Sequence, residues 1–176
     1  ASDVYKRQQK YDTYGKTRNF ETHDGSYVEV SGGAYGWLID QNAENEQLLS
    51  ILKDGRQVER EPVYAQTAAT RENCDMGNSY VEVDLSRQHL WMYRDGVVIL
   101  ESDFVSGDTS KGNTTPAGAY ALYYKTSPFV LKSDTPGDSY ETPVTYWMPF
   151  NGGIGFHDAS WQPTFGGSRY KSHGSH

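Results

Sequence analysis

His157 closes an apolar run, GIGFHDA, and Asp158 follows it directly. Ser175 and His176 come 18 and 19 residues later, across a turn-rich stretch that holds Gly166 and Gly167. Two imidazoles and a hydroxyl set on strand ends and loops suit general-base catalysis, because a neutral imidazole near pH 7 can take a proton from a nucleophile. Metal chemistry competes for the same side chains. His157, Asp158, His173 and His176 are all zinc ligand types, although no His-Glu-x-x-His helix is present. A satisfied core histidine and a solvated tail are the plainer alternatives. The single cysteine, Cys74, lies in RENCDMGN, a polar, loop-like connection. That is a poor place for a nucleophile, which must be held within reach of its base.

Composition narrows what these residues can serve. The net charge of −7 argues against nucleic acid as a partner, since phosphate binding needs clustered Lys and Arg. No apolar run approaches the roughly 20 residues of a membrane helix. Apolar residues make up 36% and aromatics 14% of the chain, with 18 Gly and 7 Pro. This is the profile of a strand-and-turn protein with an aromatic core.

The elements that must position the histidines read as two units. Residues 1–17 are a linker or a non-native leader, since the opening ASDVYKRQ looks like translated adapter sequence. Residues 18–67 form a small α+β unit. Its strands are YVEV, AYGWLID and VEREPVYAQ, and its helix is NAENEQLLSILKDG. Asn42 is the expected N-cap, and Leu48, Leu49, Ile51 and Leu52 give one apolar face. Residues 68–78 carry no periodicity and read as a linker. From Ser79 onward the chain is β-rich, with SYVEVDL, a hairpin turning at Asp95-Gly96, AYALYYKT, VTYWMPF and GIGFHDA as strands. GDTSKGNTTPAG and residues 132–139 read as polar loops. The expected fold of residues 79–176 is mainly β, two packed sheets or a partly closed barrel.

The segment HDASWQPTFGGSRYKSHGSH resembles the catalytic segment of the L,D-transpeptidases, the YkuD-like family. That signature runs from a histidine, through about 14–17 residues, to Ser/Thr-His-Gly-Cys. His157, seventeen intervening residues and Ser175-His176 match its opening half. In this register the nucleophilic cysteine lies just beyond His176. A second register, Ser172-His173-Gly174-Ser175, sets Ser175 in the cysteine position and implies an inactive or serine-variant enzyme. The first is preferred, because the approach through Gly166-Gly167 and Tyr170 to Gly-Ser-His looks like that of Gram-positive members. SGDTSKGNTTPAGAY and VTYWMPFNGGIGFHDASW are also similar to family segments. Residues 18–67 resemble, more weakly, the peptidoglycan-binding domain that precedes the catalytic domain in some members.

The resemblance implies an enzyme that crosslinks peptidoglycan stem peptides through a cysteine acyl-enzyme. His157 would be the base, oriented by the main-chain carbonyl of Asp158. Ser175 and His176 would shape the pocket, and Tyr146 and Trp147 would line the substrate cleft. No cofactor or metal is implied. The chain would be a monomer with donor and acceptor stems as partners, and the small domain would contact glycan. It would work outside the cytoplasm, in the cell wall or anchored by a preceding N-terminal segment. As given, it would form no acyl-enzyme. The alternatives are a non-catalytic wall-binding protein on the same fold, or a histidine-based metal-dependent hydrolase.

Overall fold

Residues 11–133 and 139–175 are described in this computed structural model of the chain. Strands β1 (Arg18–Glu21) and β2 (Tyr27–Val30) pair antiparallel around a tight turn. Asp24 organises that turn, its Oδ1 accepting from the hydroxyls of Thr22 and Ser26 and from the Ser26 N–H. Side-chain acceptors of this kind stand in for backbone pairing where the chain reverses. β3 (Leu38–Ile39) leads into helix α1 (Gln41–Lys53) and later pairs with β4 (Tyr64–Gln66).

The largest sheet is a three-stranded meander of β5 (Val81–Asp84), β6 (His89–Arg94) and β7 (Val97–Asp103). Asp95 and Gly96 both have positive φ between Arg94 and Val97, the two-residue turn expected of Asp-Gly. β8 (Phe129–Ser133) pairs with β9 (Tyr140–Val144), and β10 (Trp147–Asn151) with β11 (Ile154–His157). Leu131, Val144 and Trp147 form a buried cluster, with Phe129 and Tyr140 packed on it. Phe129 stacks on Trp147 at 5.7 Å between centroids. The core of this half therefore sits directly behind the strand pair that carries His157.

Several sequence expectations change. The β-rich half is neither two packed sheets nor a closed barrel. Among the described residues its strands form one three-stranded and two two-stranded sheets. The reason is local. Residues 119–126 run beside β10 but bond to it at only two points, Tyr123 N to Pro149 O and the reciprocal Thr126–Trp147 pair. Pro149 offers no N–H in return, so the ladder cannot continue. Residues 132–139 are not wholly loop, because Lys132 and Ser133 finish β8. The N-cap of α1 is Asp40, not Asn42; its Oδ1 accepts from the N–H groups of Asn42 and Ala43. Nor is the apolar face of α1 buried, with Leu49 57% and Leu52 74% exposed. The helix is held instead by Glu44, which is fully buried and bonds Arg60 and the Val63 N–H, each at 2.9 Å.

Residues 68–78 are tied to the strands before them. Arg18, 6% exposed, reaches Asp75 Oδ2 at 3.2 Å and the carbonyl of Cys74 at 3.1 Å. Trp37 Nε1 donates to the carbonyl of Thr70. The first half in turn meets the second at several places, Phe20 edge-on to Tyr80 among them. Ala119 N donates to Gly32 O, and a Cβ at Gly33 would run into the Ala119 backbone, so only glycine allows that crossing. At the β1–β2 turn, His23 stacks on Trp91 at 4.5 Å, its N–H bonds Glu82 Oε1, and Asp24 pairs with Arg87.

Candidate active site

His157 ends β11 and stands opposite Trp147 in the register with β10. Its Nδ1 lies 2.9 Å from the carbonyl oxygen of Asp158. A carbonyl can only accept, so Nδ1 carries a proton, and in the neutral imidazole Nε2 presents a lone pair. Ser175 Oγ lies 3.0 Å from Nε2 and donates to it. The imidazole packs between two indoles, with centroids 6.0 Å from Trp147 and 5.8 Å from Trp161. Trp147 is 5% exposed and belongs to the core, so it backs the histidine. Trp161, 39% exposed, stacks on it from the more open side, and Tyr146, 57% exposed, precedes Trp147 in the chain.

Asp158 serves the site through two groups. Its carbonyl fixes the tautomer of His157. Its carboxylate accepts from the Tyr146 N–H at 2.8 Å, pinning the β9–β10 connection to the end of β11. Burial pushes this carboxyl up, but the N–H groups of Tyr146 and Thr145 outweigh it and hold it below the usual carboxylate range.

The strand position of Ser175 is set from the loop after β7. Ser175 N donates to Ser106 O at 2.8 Å, and Asp108 N donates to Ser175 O at 3.0 Å. Ser106 is itself held by Gln88, which is 1% exposed. Gln88 Oε1 accepts from the Ser106 N–H, and Nε2 donates to Ser106 Oγ and to the Leu85 carbonyl. Asp108 is 3% exposed and caps a short 3₁₀ turn, Thr109–Lys111. The Ser110 hydroxyl holds its carboxyl below the usual range, helped by the N–H groups of Ser110 and Gly174 and opposed by burial. A Cβ at Gly174 would collide with the Asp108 backbone, so this approach requires glycine.

Of the residues expected at the site, His157, Asp158 and Ser175 come together, and the Tyr146 backbone joins them. His176 lies outside the described residues. His173 bonds the neighbouring Ser172 hydroxyl through Nδ1. Among the described residues no group of three or more His, Cys, Asp and Glu could hold a metal ion. Sequence reasoning missed Gln88, Ser106 and Asp108. Asp108 falls in the singled-out loop GDTSKGN, but nothing in its spacing says that its carboxylate turns toward Gly174. Gln88 had no signal beyond its place in a hairpin turn.

The catalytic domain family of the L,D-transpeptidases, YkuD, matches residues 78–176. The chain belongs to the L,D-transpeptidase family. Solved structures agree over more than that segment. A cysteine-to-serine mutant of the Enterococcus faecium L,D-transpeptidase is 37% identical, with 99% of this chain and 69% of that one covered and a TM-score of 0.82. The Ldtfm–avibactam carbamoyl enzyme is 38% identical, with 99% and 68% covered and the same TM-score of 0.82. The catalytic domain of the E. faecium enzyme acylated by ertapenem is 47% identical, with 57% and 78% covered and a TM-score of 0.50. No curated protein matches. His157, Asp158 and Ser175 all fall inside the L,D-transpeptidase segment.

Proposed function

We propose that this chain carries the general base of a transpeptidase that crosslinks peptidoglycan stem peptides through a cysteine acyl-enzyme. The observation that carries the reading is His157, held by the Asp158 carbonyl with its Nε2 lone pair facing the Ser175 strand. In the preferred register the cysteine is the third residue after Ser175. Its thiol proton passes to His157 Nε2, and the thiolate attacks the carbonyl of the diamino residue before a terminal D-Ala. The tetrahedral intermediate collapses, the C–N bond breaks, and D-Ala leaves with the proton from the imidazolium. A side-chain amine of a neighbouring stem then attacks the thioester, gives its proton to His157 and releases the thiol. The relatives support covalent chemistry, since one is carbamoylated by avibactam and another acylated by ertapenem.

His176 completes the pocket in this reading, and Tyr146 lines the cleft with Trp147 behind it. The 18–67 unit contacts glycan, and the protein works as a monomer outside the cytoplasm. A form extended through the whole motif, given a stem donor ending in D-Ala and an acceptor stem, should release one D-Ala for each crosslinked dimer seen by mass spectrometry. D-Ala release without a dimer would make it a carboxypeptidase instead.

A second reading draws on the 3.0 Å between Ser175 Oγ and His157 Nε2. Ser175 would itself be the nucleophile and would form an ester. It requires that the 176-residue chain be acylated unaided, on Ser175.

A further inference from the structure

Gln162 joins the turn that follows the base to the segment that leads to Ser175. Its backbone N–H closes that turn on the Ala159 carbonyl at 2.9 Å. Its side-chain Oε1 accepts from Arg169 at Nε, 3.2 Å, and at Nη2, 2.7 Å. Its Nε2 donates to the carbonyl of His173 at 2.8 Å. A guanidinium only donates and a carbonyl only accepts, so one orientation of the amide satisfies both. Among side chains of this length no other can do it. A glutamate could take the arginine but would face the His173 carbonyl with a second acceptor. A lysine or methionine could not take the arginine at all.

The bridge spans the two halves of the site. One end begins directly after Asp158, whose carbonyl fixes the His157 tautomer. The other end holds His173, two residues before Ser175. The 3₁₀ turn Arg169–Lys171 brings the arginine into line, and the His173 N–H bonds the Arg169 carbonyl at 2.7 Å. The loop carrying Gly107 and Asp108 sets Ser175 from the opposite side. Without Gln162 the histidine and the motif segment would be joined through the Ser175–His157 bond with no brace from the turn after the base.

We propose that Gln162, oriented by Arg169, is a positioning residue that sets the motif strand against His157. The proposal rests on His157 being the base. Its role is served through geometry, so it touches neither substrate nor the reacting atoms. Small displacements of a base from its nucleophile are costly: a misplacement of about 1 Å can lower a rate by about a hundredfold.

The test compares wild type with Gln162→Glu, Gln162→Ala and Arg169→Lys in two forms. In the 176-residue chain, imidazole nitrogen NMR reads the His157 tautomer and its bond to Ser175. In the form extended through the motif, mass spectrometry follows the rate of acylation by ertapenem. We expect Gln162→Glu to break the Ser175 bond to His157, seen as a shift of the His157 Nε2 signal with the tautomer kept, and with amide dispersion elsewhere retained. Acylation should slow by about tenfold to a hundredfold, and Arg169→Lys should fall between. An unchanged His157 signal in Gln162→Glu and Gln162→Ala would overturn the proposal. So would global loss of dispersion in both, which would make Gln162 a fold residue. Failure of ertapenem to acylate the wild-type extended form would instead count against the transpeptidase reading, while the NMR result would still decide the role of Gln162.

Discussion

His157 can act as a base only while Nδ1 keeps its proton, and the Asp158 carbonyl at 2.9 Å keeps it there. Changing the side chain at 158 leaves that carbonyl in place and removes only the clamp on Tyr146. Asp158→Ala should therefore cost about 1–2 kcal/mol in urea melts, the price of an N–H that loses its acceptor. The His157 tautomer should stay as it is, which imidazole nitrogen NMR would read. The effect should depend on pH with a definite sign. The Asp158 carboxyl is held below its ordinary value of 3.8 in the folded protein. Its contribution is complete above the unfolded value and is lost as pH falls through the lower, folded one. The gap between wild type and Asp158→Ala should therefore be widest near neutrality and close in acid. A gap that widened in acid would contradict the assignment.

Elements matter here by what they bring side by side. The pairing of Ser175 with Gly107 is a single parallel bridge outside any named strand, held by two backbone bonds and the close approach of Gly174 to Asp108. Gly174→Ala should force the two backbones apart, at about 1–3 kcal/mol for a side chain added to a packed site. Hydrogen exchange should report it locally: the Ser175 and Asp108 amides should exchange faster, while those of β6 stay protected. Faster exchange throughout β5–β7 would mean that the bridge supports the whole sheet. The hairpin of β6 and β7 was legible in the sequence, because alternating residues flank an Asp-Gly whose turn geometry suits the strand twist. The β10–β11 pair was legible for a similar reason. The segment 119–126 was not, since its alternation is strand-like while Pro149 on the neighbouring strand has no N–H to return a bond. The exposure of Leu49 and Leu52 on α1 was not legible, because periodicity locates an apolar stripe but not what covers it. At the site, the residue types and spacing identified His157, Asp158 and Ser175. The amides and carboxylates that hold them, Gln88, Asp108 and Gln162, make contacts across long sequence separations that no local pattern encodes.

Over the whole molecule, the first half is seated on the β5–β7 sheet through the β1–β2 turn. Glu82 lies at that junction, accepting the His23 N–H at 2.9 Å. Burial pushes its carboxyl above the usual range, partly offset by the His23 N–H. A raised carboxyl destabilises the fold in full at pH values above its folded pKa; that penalty fades as pH falls through the folded value and is gone below the unfolded one. Glu82→Gln should thus raise the thermal midpoint by a few degrees at neutral pH, with the gain shrinking as pH falls toward the ordinary value of 4.5 and absent below it. A lower midpoint at neutral pH would mean that the carboxylate is needed to hold the His23 turn.

The account stands most directly on covalent labelling. Ertapenem would be added to two proteins, this 176-residue chain and a form extended past His176 through the whole motif. Intact-mass spectra would read the adduct, and peptide mapping its position. The account predicts one adduct on the extended form alone, on the cysteine that follows Ser175-His176 and one residue more, and its loss on His157→Ala. An adduct on Ser175 of the 176-residue chain, or none on a folded extended form, would contradict it.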